Sequence, residues 1–421
     1  MQVISYLVAA TFLISPALVH ADIITKKSNE ITQFKHLSLP ANQPYKSTDK
    51  TQKILDNFIH HQAEKYYITG IPLTIQCQNF NNNTPVTYNS GLQSRNGPPV
   101  NGGSLWQIGS NSKSFLAVVI LQLEAENKLS IEDKVSDYLS EDQYPKWKNI
   151  TIKQLLNMTS GIHDYANEED DIPNQIEQNP RYLFTTDEIL NSVKERDLWF
   201  KPGKNWSYSN TNYVLAGKIV ETITGKSVAE EIRERIINPL KMHHTYFISS
   251  FPKENVPPKD QKSLMSGYFS ANNAPHLPFG MDTLDYSLSW GNAAASITST
   301  SSDLNHYVRE LFNGNLVPNK QLAELITLVD EKGRPLPKGL NKAHPRGYGL
   351  GIRAEYLPRL KSVVYFHGGE TFGFSSTWKY IVSTKASVIF TLNTSRKMDK
   401  GLKKFVNSVL NSLPKSCLST A

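Results

Sequence analysis

The chain has 421 residues, 39% of them hydrophobic, and a formal charge of +7. That is enough apolar material for a sizeable core in one large or two modest domains, and it excludes a disordered, repetitive or low-complexity protein. The basic residues are scattered, with one local group from Lys397 to Lys404, and form no stripe interleaved with aromatics; nucleic acid is therefore not an expected partner.

Residues 1–21 read as a secretory signal. The run VISYLVAATFLISPALV is apolar, and Val19-His20-Ala21 ends in the small-x-small manner of a cleavage site. The alternative is an N-terminal anchor, but Pro16 breaks the run and it is short for a span. The n-region carries no Lys or Arg, and no Cys lies near the cut for lipid attachment. No later segment approaches 18 uncharged apolar residues. The expected product is exported, periplasmic or secreted, with no stable membrane insertion after cleavage.

Residues 22–50, polar and rich in Pro, Asn and Ser, read as a flexible leader. Ile54, Leu55, Phe58 and Ile59 then fall on one helical face, predicting a helix over 51–68 that Gly70-Ile71-Pro72 stops. LTIQCQNF and PVTYNSG predict two strands around the turn NNNT. From Ser112, SKSFLAVVILQLEAENKL is long and almost continuously apolar, the signature of a buried central helix.

Helical segments follow to about residue 245: IEDKVSDYL, TIKQLLNM, TDEILNSVKERDLWF, NTNYVLAGKIVETITG and VAEEIRERIINPL. After a mixed region, GYGLGIRAEY, SVVYFHGG, STWKYIVS and SVIFTLN predict strands. Leu402, Phe405, Val406, Val409, Leu410 and Leu413 predict a closing amphipathic helix. Strands and a helix at both ends with a helical block between them indicate an α+β protein. The expected architecture is an antiparallel sheet flanked by helices with an inserted all-α subdomain, and a site in the crevice between the two parts.

Cys77 and Cys417 either form one bridge, if the N-terminal strand and C-terminal helix lie together, or remain two thiols. Neither has metal-ligand spacing, and the 11 His form no H-x-x-x-H pair, so no metal and no cofactor are expected. Five N-x-S/T sequons, at Asn82, Asn149, Asn157, Asn205 and Asn393, matter only in a glycosylating host. Oligomeric state is not readable.

The sequence contains S-x-x-K five times, at Ser47, Ser110, Ser250, Ser376 and Ser412. Only Ser110 opens a long apolar helix, where positions i and i+3 share a face and Lys113 can reach the hydroxyl. At Ser376 the pattern falls in a strand, which turns Lys379 to the opposite face. A serine hydroxyl needs a base to become a nucleophile. Burial and a helix N-terminus favour a neutral lysine and an oxyanion. On this motif alone, a capping serine with a solvated lysine is an equal reading.

A second motif, Tyr208-Ser209-Asn210, follows the turn KPGKN, which would display Tyr208 at a loop edge. A phenol beside lysine-like charges could titrate low enough to act as a base. The bland alternative is a packed surface tyrosine. A third motif, His367-Gly368-Gly369, ends the strand SVVYF, where glycines permit close backbone approach. The bland alternative is a simple turn.

In this order, Ser110-Asn111-Ser112-Lys113, Tyr208-Ser209-Asn210 and His367-Gly368-Gly369 resemble the S-x-x-K, Y-x-N and K/H-x-G motifs of the serine β-lactamase and penicillin-binding fold. The branch is that of class C β-lactamases and D-alanyl-D-alanine carboxypeptidases. The flanks ITIKQLLNMTSGIHDY, AAASITSTSSDLNHYV, YGLGI and HGGETFGFSS match as well, so the resemblance makes residues 51–415 one β-lactamase/DD-peptidase-like catalytic domain.

The resemblance implies that Ser110 is the acylated nucleophile, that Lys113 shares its proton, and that Tyr208 is the base. Asn210 would hydrogen-bond the substrate amide. The Ser110 and Glu370 N–H groups would form the oxyanion hole, with His367, Gly368 and Gly369 lining the opposite wall. His367 stands where β-lactamases of this branch have lysine, which favours a D-alanyl-D-alanine carboxypeptidase-like enzyme acting on peptidoglycan stem peptides. A class C-type β-lactamase or carboxylesterase on a small amide or ester is the alternative. A non-catalytic scaffold has no need of Ser110, Lys113, Tyr208 and Asn210 together.

Overall fold

The computed structural model describes residues 49–418, except 79, 168–170, 271–276 and 396–399. The expected signal (1–21), nearly all of the expected leader (22–50) and Lys397 lie outside the described residues. Asp49, inside the expected leader, accepts through its carboxylate from Thr51 N at 2.7 Å and Gln52 N at 3.2 Å and so caps the first helix.

That helix, α1, spans Lys50–Tyr66. It ends at Tyr67, which adopts the left-handed conformation at φ 55°. The expected stop at Gly70-Ile71-Pro72 is corrected: these residues already belong to strand β1 (Gly70–Gln76). Pro72 is tolerated there because β1 pairs only with β2 (Val86–Gly91) at that point; β10 joins from Leu73 onward.

The remaining strands are β3 (Trp106–Gln107), β4 (Tyr246–Phe247), β5 (Ile297–Ser299), β6 (Arg346–Tyr348), β7 (Arg353–Leu357), β8 (Ser362–Glu370), β9 (Ser375–Ile381) and β10 (Ala386–Leu392). The main sheet is antiparallel in the order β2-β1-β10-β9-β8-β7-β6. A small sheet, β3-β5-β4, adds to the helical block, where the sequence pattern predicts no strand.

The helices after α1 are α2 (Ser112–Ala125), α3 (Ile152–Leu156), α4 (Asp171–Gln178), α5 (Thr186–Asn191), α6 (Thr211–Thr224), α7 (Val228–Ile232), α8 (Pro252–Asn255), α9 (Asn292–Ala295), α10 (Ser301–Phe312), α11 (Asn319–Leu325), α12 (Lys400–Ser412) and α13 (Lys415–Leu418). Expected helicity over IEDKVSDYL reduces to one 3-10 turn at Val135–Asp137. Asp133 and Asp137 explain this: their carboxylates accept from the Ser130 and Lys134 N–H groups at 2.7 Å and hold a turn instead. VAEEIRERIINPL divides between α7 and a π-helical turn, Arg233–Ile237.

Two cores flank the sheet. In α2 every residue from Ser112 to Leu121 is buried, as its all-round apolar character predicts, and it centres the larger core. Strand β10 divides its side chains by parity: Ile389 joins this core, while Val388, Phe390 and Leu392 join the second, beneath α1 and α12. There Phe58 and Phe405 stack at 3.9 Å between centroids. Cys77 and Cys417 are bridged in this second core, with Cα atoms 5.4 Å apart across 340 residues of sequence. Among the described residues no helix is long and apolar enough to cross a membrane.

Candidate active site

The site forms where the turn before α2 meets the end of β8. Ser110 occupies a 3-10 turn, Gly109–Asn111, and is not a helix cap: α2 begins at Ser112, and its N-cap position, Asn111, makes no side-chain cap bond. Gly109 has φ +55°, and a Cβ there would lie 2.7 Å from Glu370 N and 2.8 Å from Glu370 O. Gly369 is tighter still, since its Cβ would come within 1.8 Å of Ile108 O. The close approach expected of this glycine is therefore to the serine-bearing turn itself. Gly368 is exposed, with only Ser376 O inside ordinary contact of a built Cβ.

Lys113 is the second residue of α2, one turn after Ser110, and is fully buried. Its Nζ donates to Ser110 Oγ at 3.0 Å, Asn210 Oδ1 at 2.7 Å and Ala294 O at 3.1 Å. Burial pushes the lysine down to about 7; Asp164 opposes this and Arg353 adds to it. A lysine in that range is divided between ammonium and free amine near neutral pH, which suits a group that both takes and returns a proton.

Tyr208 adjoins Ser110, and Lys113 Nζ lies 5.0 Å from its ring centroid. The expectation of an easily ionised phenol is overturned. Burial, with Tyr348 second, drives Tyr208 well above its ordinary value, outweighing the opposing effects of Ser110 and Arg353. The packed ring loses more solvation than its cationic neighbours restore. Tyr208 thus rests as a neutral phenol.

Asn210 is held at both ends of its amide. Its Oδ1 is held by Lys113, and its Nδ2 lies 3.2 Å and 3.0 Å from the two carboxylate oxygens of Asp164. In this arrangement it bridges lysine and aspartate.

His367 is buried. Its Nδ1–H donates to Gly368 O at 2.6 Å, which leaves Nε2 to accept from the Tyr348 hydroxyl at 3.1 Å. Burial, aided by Arg353 and Lys113, holds it well below 6.5, so it is neutral, unlike a lysine at this position. Beyond Phe366, strand β8 no longer pairs with β7, so His367–Glu370 pair with β9 alone, and the exposed Gly368 and Glu370 lie on this stretch.

Three groups are not singled out by the sequence motifs. Asp164 and Tyr348 bracket the catalytic cluster, and Arg353 stands over it. The Arg353 guanidinium carbon is 5.3 Å from the Tyr208 ring, 5.6 Å from Tyr348 and 5.9 Å from Trp206. All three residues lie in or beside flanks that carry the resemblance, SGIHDY and YGLGI, which is the signal that points to them. Trp206, Tyr348, Arg353, Val329 and Phe366 also line a cavity of about 280 Å³.

A family model described as Beta-lactamase matches residues 72–410. The chain is 26% identical over 335 residues to Protein flp of Staphylococcus aureus (strain MW2), covering 78% of this chain and 60% of that protein. It thus spans about 60% of the length of that curated relative. Among solved structures, a D-stereospecific amidohydrolase from Streptomyces sp. superposes with TM-score 0.70 at 26% identity, over 87% of this chain and 99% of the other. The D-amino acid amidase of Ochrobactrum anthropi SV3 shares the fold with TM-score 0.70 at 24% identity, over 86% and 97%. The chain belongs to the beta-lactamase family, with the fold of serine β-lactamases and penicillin-binding proteins.

Proposed function

We propose that this protein is an exported serine hydrolase that works through an acyl-enzyme on Ser110. Its favoured substrates are peptides ending in a D-amino acid, in the manner of a D-alanyl-D-alanine carboxypeptidase acting on peptidoglycan stem peptides. The observation that carries the reading is the contact between Ser110 Oγ and the buried Lys113 Nζ, a lysine pushed down to about 7.

In this reading neutral Lys113 takes the Ser110 proton as Oγ attacks the substrate carbonyl carbon. The carbonyl electron pair moves onto oxygen, and the N–H groups of Ser110 and Glu370 are the expected donors to that oxyanion. Collapse breaks the C–N bond. Tyr208, a neutral phenol beside Ser110, passes its proton to the departing amine and regains one from the Lys113 ammonium. Water then attacks the ester by the same proton path, releasing the acid and Ser110.

Two observations favour a carboxylate-bearing amide over a simple ester. Arg353 overhangs Tyr208, and among the described residues no carboxylate is in ion-pair contact with it. Its guanidinium suits a terminal carboxylate. The D-stereospecific amidohydrolase whose fold the chain shares points to D-configured amides. Export rests on residues 1–21.

The test is the intact mass of the mature protein with and without benzylpenicillin, with Ser110→Ala as control. A persistent adduct absent from the mutant is expected, together with release of D-alanine from a D-alanyl-D-alanine peptide. Rapid loss of penicillin absorbance would instead assign a β-lactamase. No adduct and no peptide cleavage would overturn the reading.

A further inference from the structure

Asp164 sits outside the three motifs, in the loop after α3, yet this loop is fastened to the segment that carries Tyr208 and Asn210. Thr211 Oγ1 donates to His163 O at 2.6 Å, Ser209 Oγ to the same carbonyl at 3.2 Å, and Tyr165 N to Thr211 Oγ1 at 3.1 Å. Ser160 Oγ donates to Asn212 Oδ1 at 2.7 Å. The carboxylate is thereby fixed relative to Asn210.

Every hydrogen bond found for Asp164 comes from an N–H donor. Oδ1 accepts from Asn210 N at 3.0 Å and Ala166 N at 3.2 Å, and Asn210 Nδ2 reaches both oxygens. A protonated carboxyl would present its own O–H to these donors, so the ionised form fits the site. Burial raises Asp164 above the usual range, while these donors and Lys113 hold it down.

The carboxylate also settles which way Asn210 faces. Reversing the amide would set its oxygen against the Asp164 carboxylate and its NH₂ against the lysine amine. The observed orientation gives each charge a partner of opposite polarity, along a line carboxylate, amide N–H, amide C=O, lysine Nζ.

We propose that Asp164 is a positioning residue for acylation: it locks the Asn210 carbonyl onto Lys113 and supplies the anion that sets the pH at which Lys113 becomes a free base. The proposal rests on the reading of Lys113 as the base. Around Lys113 stand Ser110, Tyr208, Tyr213 and Asn210 with Asp164 behind it, while Arg353 and the neutral His367 face it from the sheet. Among the charged groups acting on the lysine, Asp164 favours its ammonium and Arg353 disfavours it. Removing the anion leaves burial and Arg353 unopposed, so the free base persists to lower pH.

The experiment compares wild type, Asp164→Asn and Asp164→Glu in two assays. The first is the pH dependence of Ser110 acylation by benzylpenicillin, followed by intact mass. The second is trace acetylation of Lys113 by acetic anhydride across pH, in a Ser110→Ala background, read by peptide mapping; it needs no turnover. In Asp164→Asn both midpoints should move down by roughly one pH unit, the usual effect of losing an opposite charge at close range. The plateau acylation rate should also fall about tenfold as Asn210 loses its orientation. Asp164→Glu keeps the charge and should keep the acetylation midpoint while losing rate. If Asp164→Asn does not fold, Asp164→Ser removes the same charge and carries the same expectation. An acetylation midpoint unmoved by removal of the charge overturns the proposal. Absence of acylation in wild type would refute the base assignment, and the acetylation series would still decide what Asp164 does to Lys113.

Discussion

The Ser376 hydroxyl lies 2.8 Å from Asn111 Nδ2, joining strand β9 to the turn that carries the nucleophile. The same hydroxyl donates to Ile108 O at 3.1 Å, so one side chain holds both ends of the Ile108–Asn111 turn. Its lysine at +3 pairs with Glu355 at 3.2 Å and takes no part in the contact. Ser376→Ala should leave Ser110 acylable but loosen its turn, lowering stability by about 1 kcal/mol, the usual net worth of a buried hydrogen bond. Ser110→Ala should abolish acylation with an unchanged melt. Parallel penicillin-adduct and thermal-denaturation measurements separate the two. Loss of all acylation in Ser376→Ala would contradict a bracing role.

The contrast between these two serines marks how far sequence periodicity reaches. Periodicity alone separates them, because i and i+3 share a helical face and oppose one another in a strand. The apolar run of α2 and the alternating strands β8 to β10 are legible for the same reason. What a local pattern does not carry depends on contacts distant in sequence. The bond from Asp164 to Asn210 spans 46 residues, and the one from Tyr348 to His367 comes from a neighbouring edge of the sheet. Neither leaves a local signature. The protonation state of Tyr208 departs from the sequence expectation because sequence shows nearby cations but not the loss of water around the ring.

The two glycines after His367 should behave oppositely. Gly369 lies against the backbone carbonyl of Ile108, and a methyl group there must push β8 away from the serine turn. A methyl group at Gly368 would meet only Ser376 O, at an ordinary contact distance of 3.8 Å. Gly369→Ala should reduce acylation at least a hundredfold and lower the melting point, whereas Gly368→Ala should fold normally and keep an acylable serine. The check is the rate of penicillin-adduct formation in both variants. Equal rates would mean that the strand accommodates the methyl group and does not hold the turn.

Lys113 should cost stability in proportion to its depressed proton affinity. The unfolded chain protonates it near the ordinary lysine value of 10.5, the folded chain only near 7. Between those limits the unfolded state holds more protons, so this group's penalty on folding grows as pH falls from about 10 to 7 and is complete below 7. Lys113→Met should therefore be inactive but more stable at pH 6.5. The expected gain is on the order of 1–2 kcal/mol, less than the full linkage because Asp164 loses its countercharge. The gain should shrink towards pH 10. Denaturant melts of both proteins at pH 6.5 and 9.5 test this, and a difference that grows with pH would reverse the sign.

Arg353 offers the clearest division between peptidase and esterase chemistry. Its guanidinium stands over Tyr208 and lines the 280 Å³ cavity with Trp206, Tyr348 and Phe366. If it receives a terminal carboxylate, Arg353→Gln should raise KM for a D-alanyl-D-alanine peptide about tenfold or more, the worth of a charge-assisted hydrogen bond. The same peptide with an amidated end, already lacking the anion, should lose little. A neutral chromogenic ester should be cleaved at nearly the wild-type rate. The cation also depresses Lys113, so its loss should move the acid limb of acylation to higher pH, opposite to the effect expected of Asp164→Asn. Steady-state kinetics on the three substrates across pH decide the matter. An equal loss on the free and amidated peptides would place Arg353 outside carboxylate recognition.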